Sequence, residues 1–335
     1  MTRLLLQNSR NSRIFFVLVL LSACIAPFLV PPGYLLHLLV MFLIFSIMAL
    51  SLSVIVGFLG ELTLGQAGFF ATGAYVSAIL AVDYGWPFWL SLPMAGLLSG
   101  VVGILVGIPS FRLQGPYFAI VTLGFSQIIG LVITNSISIT RGPMGISKIP
   151  APEINLPFLP PVVFDTEKSF YFLVLCLVLI TIYVIRRLLV SRTGRAIVAI
   201  RENPALAQSI GVDLYKYKIL AFFISTSIAG VSGAAYAHYV RVITPHLSDV
   251  YYTTAALIMV VVGGAATIAG ALVGAFIFTL LPEALRFVED ARLLIFGVIL
   301  FLSIRYMPQG IWPALLVWTA RLARKANSSN GGADQ

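Results

Sequence analysis

The chain has 335 residues, of which 59% are hydrophobic and only 10% are charged, and its formal net charge is +9. This composition excludes a soluble globular protein, because too few polar side chains remain to cover a surface in water. It predicts an all-α, polytopic membrane protein, and the even spread of apolar runs predicts one domain over residues 1–335. The positive charge fits basic loops beside anionic membrane lipid. It does not indicate nucleic-acid binding, since no basic helix interleaved with aromatic residues accompanies it.

The N-terminal segment, residues 1–34, has arginines ahead of its first apolar run, a pattern shared with secretory signals. The residues that end in Cys24 also resemble a lipoprotein cleavage box. The apolar run continues past Cys24 to Val30, which favours an uncleaved first span.

Ten apolar segments are predicted to cross the membrane, since each crossing of the hydrocarbon core takes about 20 residues. In chain order they are 14–30, 35–56, 62–82, 88–108, 116–134, 169–189, 218–240, two short segments within 253–281, and 291–306. The block 253–281 is divided because it is too long for one ordinary span and carries Gly263 and Gly264 in its middle. The alternative is one broken span over the same residues.

The distribution of charge predicts which side of the membrane each loop faces, because Lys and Arg next to spans are retained in the cytoplasm. With ten spans and both termini inside, most of the 21 Lys and Arg residues fall in cytoplasmic segments and most of the 12 acidic residues fall outside. A single span over 253–281 would instead put the basic tail, residues 313–335, outside. The charge bias therefore supports ten spans with the N-terminus and the C-terminus in the cytoplasm.

Residues 60–75, GELTLGQAGFFATGAY, place an acid, a Gln and several glycines where the hydropathy predicts a span. On a continuous helix Glu61, Gly65, Gly68 and Thr72 would share one face, at i, i+4, i+7 and i+11. The topology puts Glu61 near the cytoplasmic end, where a carboxylate complements the helix dipole. We expect a face of small residues at a helix interface or a translocation path, with Gln66 as the better candidate for a polar lining residue.

The longest predicted cytoplasmic loop, residues 186–218, carries signals for a short helix of its own. Asn203 suits the N-cap, Pro204 the first helical position and Gly211 the C-terminal cap. So short a helix is marginal by itself in water, and we expect it to dock on another protein surface. Arg195 and Arg201 are expected to be available to acids on a partner. The alternative is an amphipathic helix that lies on the lipid surface.

A second set of small residues lies in the C-terminal half of the chain. Gly270 and Gly274 stand four residues apart, soon after Gly263 and Gly264. Tight helix packing is the first interpretation, because close approach of helices in lipid requires small residues. A substrate path is the alternative, since Gly263 and Gly264 are predicted to break the helix near membrane depth, where broken helices can line a cavity.

Motifs along the chain resemble those of one transporter family. Gly194-Arg195-Ala196, then Ala199-Ile200-Arg201-Glu202-Asn203, then Ala205, Ala207 and Gly211, resemble the cytoplasmic EAA-like loop of bacterial ABC importer permeases. Stretches at 57–75, 115–146 and 257–274 resemble signatures of the branched-chain amino acid permeases of the LivM type. The resemblance covers residues 35–312.

The resemblance implies a multi-pass subunit of the bacterial inner membrane that translocates branched-chain or related amino acids delivered by a periplasmic binding protein. It implies a second homologous permease subunit and two cytoplasmic ABC ATPases, which bind ATP and Mg²⁺. This chain is then expected to bind no cofactor and no metal and to have no catalytic residue. The sequence agrees, since it contains no G-x-x-x-x-G-K-[ST] phosphate-binding loop.

The resemblance also assigns Asn203 to Gly211 to a coupling helix that sits in a groove of an ATPase. A bulky charge at Ala205 or Ala207 is then expected to uncouple ATP hydrolysis from uptake. Relatives of the same importer type carry urea or short amides, and the permease pair is either two copies of one chain or two different chains.

An ion-coupled secondary transporter is the alternative of another class. It is disfavoured because no Asp or Glu lies at the centre of a predicted span. His37, His238 and His246 are scattered without metal-ligand spacing, so no metal site is predicted.

Overall fold

The computed structural model describes residues 21–30, 33–113, 115–154, 162–284, 298, 301, 305 and 310–314. Residues 21–29 are helical, and the helices that follow are α1 (Tyr34–Leu52), α2 (Gln66–Val82), α3 (Phe88–Ser110), α4 (Pro116–Asn135), α5 (Ile137–Thr140), α6 (Glu167–Val190), α7 (Arg192–Glu202), α8 (Pro204–Ser209), α9 (Leu214–Val240), α10 (Val250–Gly263) and α11 (Ile268–Ala284). Short 3-10 turns cover Gly142–Met144 and Pro245–Ser248. The described part of the chain is built from helices, as the composition predicts.

Strands of two residues each occur in the loops that follow α4 and α9. β1 (Ile146–Ser147) pairs antiparallel with β4 (Val242–Ile243), and β2 (Glu153–Ile154) pairs antiparallel with β3 (Val162–Val163). Ile146 lies opposite Ile243, and both side chains are buried. The first pair therefore ties together two loops at one end of the helices.

Five described segments are long and apolar enough to cross a membrane, namely Tyr34–Leu59, Phe88–Ser110, Pro116–Asn135, Glu167–Val190 and Leu214–Val240. The shorter apolar helices α2, α10 and α11 correspond to three more of the predicted spans. The predicted span 14–30 is described only from residue 21, and most of the predicted span 291–306 lies outside the described residues. The polytopic architecture predicted from the sequence is confirmed.

α1 continues as a π-helix, Ser53–Leu59, and the chain then leaves the helical path. Gly60 ends the π-helix with a φ of 84°, a backbone angle that residues with a side chain rarely adopt. Its N–H donates to the carbonyl oxygen of Ile55 across 2.9 Å. The next residues are not helical, so α2 begins only at Gln66. The prediction of a helix over 62–82 is therefore wrong in its first turn.

α9 packs against both α2 and α3 and forms the centre of the bundle. Small residues let these backbones meet, as expected where lipid gives helices little hydrophobic reason to associate. A Cβ added to Gly73 of α2 would lie 2.1 Å from the carbonyl oxygen of Gly230, and one added to Gly103 of α3 would lie 2.1 Å from Oγ1 of Thr226. Larger residues at either glycine would push α9 away.

The block 253–281 forms an antiparallel helical hairpin in which a short turn joins α10 to α11. A Cβ added to Gly263 would lie 1.9 Å from the carbonyl oxygen of Gly270, and one added to Gly274 would lie 1.7 Å from that of Met259. Each contact pairs a residue before the turn with one after it, so the two helices run side by side in opposite directions. The division of 253–281 into two segments is confirmed.

Charged contacts lie at both ends of the helices. Beyond the end of α2, Asp83 accepts a hydrogen bond from Arg141 across 2.9 Å. Before the start of α2, Glu61 forms an ion pair with Lys218, which lies in the first turns of α9. The predicted order of the spans puts Asp83 and Arg141 on one side of the membrane and Glu61 and Lys218 on the other, and the contacts agree with this pairing. Which of the two sides is the cytoplasm stays a prediction.

Candidate functional site

The candidate site is the cytoplasmic loop between α6 and α9, which contains α7 and α8. Ser191 closes α6 and caps α7, because its Oγ accepts a hydrogen bond from the N–H of Gly194 across 3.2 Å. A Cβ added to Gly194 would lie 2.1 Å from the carbonyl oxygen of Leu188, so a side chain does not fit at this corner. Ile197 and Ile200 on α7 are buried, which seats this helix against the bundle.

Both arginines of α7 that the sequence singles out bind carbonyl oxygens of the same chain. Nη1 of Arg201 donates to the oxygen of Gly57 across 2.7 Å, and Nη1 of Arg195 donates to that of Val190 across 3.0 Å. Both oxygens lie at the C-terminal end of a helix, where carbonyl groups lack helical partners and a positive charge is favourable. Both side chains are nevertheless exposed, and each of these bonds uses one of the five N–H donors of a guanidinium, so their availability to acids on a partner stays a prediction. Glu202 next to them is exposed.

α8 is the short helix that the sequence predicts. Oδ1 of Asn203 accepts a hydrogen bond from the N–H of Leu206 across 3.0 Å, and Pro204 occupies the first helical position. Gly211 follows the helix with a φ of 86°, as expected of a C-terminal cap. The prediction of this helix is confirmed, because its signals are local in the sequence.

The two alanines of α8 lie in different surroundings. Ala207 is 2% exposed, so it belongs to the interior of the chain, whereas Ala205 is exposed. Leu206 and Ile210 are 62% and 71% exposed, which leaves two large apolar side chains at the cytoplasmic surface. Sequence reasoning missed these two residues, although apolar side chains within a short solvated helix were a usable signal.

The start of α9 is attached to the segment before α2. Oδ1 of Asp213 caps α9 by accepting a hydrogen bond from the N–H of Lys216 across 3.2 Å, and this bond holds the pKa of Asp213 below its ordinary value. Lys218 pairs with Glu61 and lies 5.9 Å from the ring centroid of Phe111. The start of α9, which follows the loop, is therefore linked to the segment before α2 by an ion pair, in addition to the packing of α9 on α2.

Glu61 does not lie at the start of a helix. It stands in the non-helical stretch between the π-helix and α2, so the expected single face of Glu61, Gly65, Gly68 and Thr72 is wrong. The physical reason is the end of the π-helix, which turns the chain before α2 can begin. The carboxylate is balanced by Lys218 and not by the dipole of α2.

Gly65 and Gly68 face α4 of the same chain. A Cβ added to Gly65 would lie 2.6 Å from the carbonyl oxygen of Thr122, and one added to Gly68 would lie 2.9 Å from Cα of Ser126. Oγ1 of Thr72 donates to the carbonyl oxygen of Gly68 across 2.8 Å. The structure thus places these small residues where two helices of the chain meet.

Gln66 is fully buried at the first position of α2. Its Nε2 donates to Oγ of Ser51 across 2.7 Å and lies 3.5 Å from Oγ of Ser225. Its Oε1 has no hydrogen-bond partner among the described residues, and a buried amide oxygen without a partner costs free energy. Gln66 therefore has an unused hydrogen-bond acceptor, and its role as a polar lining residue stays a prediction.

The turn of the hairpin lies against the π-helix. A Cβ added to Gly57 would lie 1.6 Å from the carbonyl oxygen of Ala265, and Gly264 in the turn has a φ of 124°. Since Gly57 also accepts the hydrogen bond of Arg201, the turn lies at the cytoplasmic end of the bundle. The predicted break of the helix at Gly263 and Gly264 is confirmed, and its depth in the membrane stays a prediction.

These contacts link the cytoplasmic loop to the helices of the bundle. Arg201 of α7 donates a hydrogen bond to Gly57 of the π-helix, and Gly57 packs against Ala265 in the hairpin turn. Lys218 of α9 forms an ion pair with Glu61 in the segment before α2. Among the described residues, no group of three or more His, Cys, Asp or Glu side chains is arranged to hold a metal ion. The ring nitrogens of His238 lie 2.9 Å from Oγ of Ser77 and 2.8 Å from the carbonyl oxygen of Pro150, which is a packing role.

Comparison with known proteins places the chain in a transporter family. Residues 34–304 match the family described as "Branched-chain amino acid transport system / permease component". The chain is 35% identical over 321 residues to the high-affinity branched-chain amino acid transport system permease protein LivM of Salmonella typhimurium, a match that covers 90% of this chain and 75% of the relative. It is 34% identical to the LivM protein of Escherichia coli, with the same 90% and 75% covered.

A LivH protein is also similar to the chain. The identity to the probable branched-chain amino acid transport permease protein LivH of Methanocaldococcus jannaschii is 26% over 223 residues, which covers 63% of this chain and 67% of the relative. No solved structure matches the chain. The extent of the family match and the identity to the LivM proteins show that the chain belongs to the permease components of branched-chain amino acid transport systems.

Proposed function

We propose that the chain is a permease subunit of an ABC importer in the bacterial inner membrane, and that it translocates branched-chain or related amino acids delivered by a periplasmic binding protein. The names of the LivM relatives, which are branched-chain amino acid transport permeases, support this class of substrate. The described helices that are long and apolar enough to cross a membrane support the location.

The observation that carries this proposal is the hydrogen bond from Arg201 to the carbonyl oxygen of Gly57 across 2.7 Å. It joins α7, in the loop that resembles a coupling loop, to the end of the first long span. A displacement of α7 and α8 by ATPase subunits would therefore act directly on the π-helix, and through Gly57 on the turn that contains Ala265.

The ATP-driven step belongs to two separate cytoplasmic ABC ATPases that bind ATP and Mg²⁺, since no Walker-type phosphate-binding loop occurs in this sequence. α8 offers them Leu206 and Ile210, two large exposed apolar side chains that a contact with another protein would remove from water. A second homologous permease subunit completes the membrane part of the importer.

Proteoliposomes that contain the complete complex test this function. We expect uptake of radiolabelled leucine only when ATP is present on the side of the ATPases and the binding protein on the opposite side. Hydrolysis-deficient ATPase subunits, which leave the permease pair intact, are the matched control and are expected to abolish uptake. Uptake by this chain alone, driven by a sodium or proton gradient, would contradict an ABC importer. A preference for urea or acetamide over leucine would contradict the class of substrate.

A further inference from the structure

α4 is the least enclosed of the five long described spans. Its inner face packs on α2 and on the segment before α2, where Oγ1 of Thr122 accepts a hydrogen bond from the N–H of Leu64 across 3.1 Å. The large apolar side chains exposed on its outer surface are Tyr117, Ile120, Ile128, Leu131 and Val132. The described residues of the chain leave this outer surface uncovered.

Gln127 lies on the exposed surface of α4, near the middle of the helix. At a rise of about 1.5 Å per residue, it lies about 12 Å or more from either helix end, too far for its amide to reach the polar edge of a membrane. Its amide makes no hydrogen bond to the other described residues. Within the described spans, no other exposed amide or charged side chain lies as far from a helix end.

An acyl chain of a lipid offers no donor or acceptor to the amide of Gln127, so exposure to lipid at this depth carries a free-energy cost. The hydroxyl groups of Thr122 and Ser126, on the inner face of α4, carry no such cost, because both form hydrogen bonds within the chain. The arrangement indicates that Gln127 faces another protein surface that presents polar groups at mid-membrane.

Gly124 lies one turn before Gln127 and is also exposed. A Cβ added to it would meet nothing within 4 Å, whereas one added to Gly73 or Gly103 would collide with α9. Helix contacts in lipid combine small residues, which let backbones approach, with side chains that hydrogen-bond across the contact. Gly124 and Gln127 supply this combination on a surface that no described element covers.

We propose that the outer surface of α4 around Gly124 and Gln127 binds the second permease subunit, with the amide of Gln127 hydrogen-bonded to that subunit at mid-membrane. This assignment depends on the proposed function, which supplies such a subunit. The chain is similar both to LivM and to LivH proteins, so a differently named permease of the same family is the candidate for this subunit. The partner is accordingly a homologous but different permease chain, paired around an approximate twofold axis.

Photocrosslinking in the assembled importer tests the surface. The chain is co-expressed with the LivH-like permease and the ATPases of its own genome, with p-benzoylphenylalanine in place of Leu131. The matched control carries the same residue in place of Leu105 on α3, because Leu131 and Leu105 are 62% and 63% exposed. We expect an adduct with the LivH-like permease from position 131 and none from position 105. No adduct from 131, an equal yield from 105, or an adduct between two copies of this chain would overturn the proposal.

The hydrogen bond is tested by Gln127→Met, which keeps the length of the side chain and removes the amide. A tag on this chain measures how much LivH-like permease remains bound after extended washing in detergent. We expect a loss of about threefold to tenfold relative to the wild type, the range of one interhelical hydrogen bond in a membrane. The control Leu105→Met should retain the wild-type amount. Equal retention in Gln127→Met would overturn the hydrogen bond.

The outcomes separate this surface from the function of the importer. Leucine uptake by the wild-type complex reports on the proposed function, and the adduct from position 131 reports on the surface. A complex that takes up leucine but gives no adduct from position 131 contradicts the surface alone. A complex that gives the adduct but takes up no leucine contradicts the proposed function alone.

Discussion

Nη1 of Arg201 donates a hydrogen bond to the carbonyl oxygen of Gly57 across 2.7 Å, although the two residues are 144 positions apart in the chain. Gly57 belongs to the π-helix Ser53–Leu59, and π-helical turns occur frequently at functional sites. The missing side chain of Gly57 also makes room for the carbonyl oxygen of Ala265. One residue thus connects the cytoplasmic loop, the first long span and the hairpin.

Replacement of Arg201 by Met should weaken coupling between ATP hydrolysis and transport. Met keeps much of the apolar stem of Arg201 against Gly60 but loses the charged hydrogen bond, which is worth about 1.5–3 kcal/mol. We expect leucine uptake per ATP hydrolysed to fall about tenfold in proteoliposomes, with the ATPase rate retained. Arg195→Met is the matched control, since Arg195 binds the neighbouring Val190 and should change this ratio little. Equal effects of the two substitutions would contradict a special role for the contact with Gly57.

Addition of one methyl group at Gly57 should destabilise the protein. The Cβ of Gly57→Ala would lie 1.6 Å from a backbone oxygen, so the π-helix or the hairpin turn must move. We expect the free energy of unfolding in detergent to fall by about 3 kcal/mol, at the upper end of overpacking effects. Gly124→Ala is the control, because its Cβ meets nothing within 4 Å, and it should stay within about 0.5 kcal/mol of the wild type. A wild-type stability of Gly57→Ala would argue against this packing.

The ion pair between Glu61 and Lys218 should show coupling in a double-mutant cycle. The two side chains are 20% and 16% exposed, so the pair lies between a surface pair and a buried one. We expect Glu61→Gln and Lys218→Met each to lower the free energy of unfolding by about 2 kcal/mol. The loss in the double variant should be well below the sum of the two single losses. Thermal unfolding of the purified chain measures the cycle. Strictly additive losses would mean that the pair contributes nothing.

Charge at the two alanines of α8 should have different consequences, because Ala205 is exposed and Ala207 is buried. Ala205→Glu should leave the amount of inserted protein unchanged and lower ATP-dependent leucine uptake by about tenfold or more, as expected for a charge in an apolar interface. Ala207→Glu should reduce the amount of folded protein, since an unpaired charge would be buried within the chain. Normal uptake with normal assembly in Ala205→Glu would remove α8 from the ATPase contact.

Elements whose signals are local could be predicted from the sequence. The spans follow from hydropathy because a helix in lipid satisfies its own backbone hydrogen bonds, so each run of apolar residues forms its structure almost independently. α8 follows from Asn203, Pro204 and Gly211 because capping acts within one or two turns. The division of 253–281 was predictable because Lys and Arg next to spans are retained in the cytoplasm, and only two spans in this block leave the basic C-terminal tail there.

The contacts of the candidate site could not be predicted in the same way. Glu61 finds Lys218 at a separation of 157 residues, and Gly57 finds both Arg201 and Ala265 only after the helices have assembled. The late start of α2 at Gln66 has the same origin, since the π-helix ends where Gly60 turns the chain. The helix propensity of a segment carries no information on contacts between residues that are far apart in the chain.

By itself, therefore, the sequence determined the membrane class, the spans within the described residues and the family, because hydropathy and motifs are properties of short segments. Only the tertiary structure decided that Arg201 and Arg195 each donate a hydrogen bond to a carbonyl oxygen of this chain, that Ala207 is enclosed, and that Gln127 is left exposed near the middle of α4. The physical reason is that the neighbours of a helix surface are set only when the helices pack. Packing decides whether a polar group on that surface finds its hydrogen-bond partner within this chain or stays exposed to a second chain.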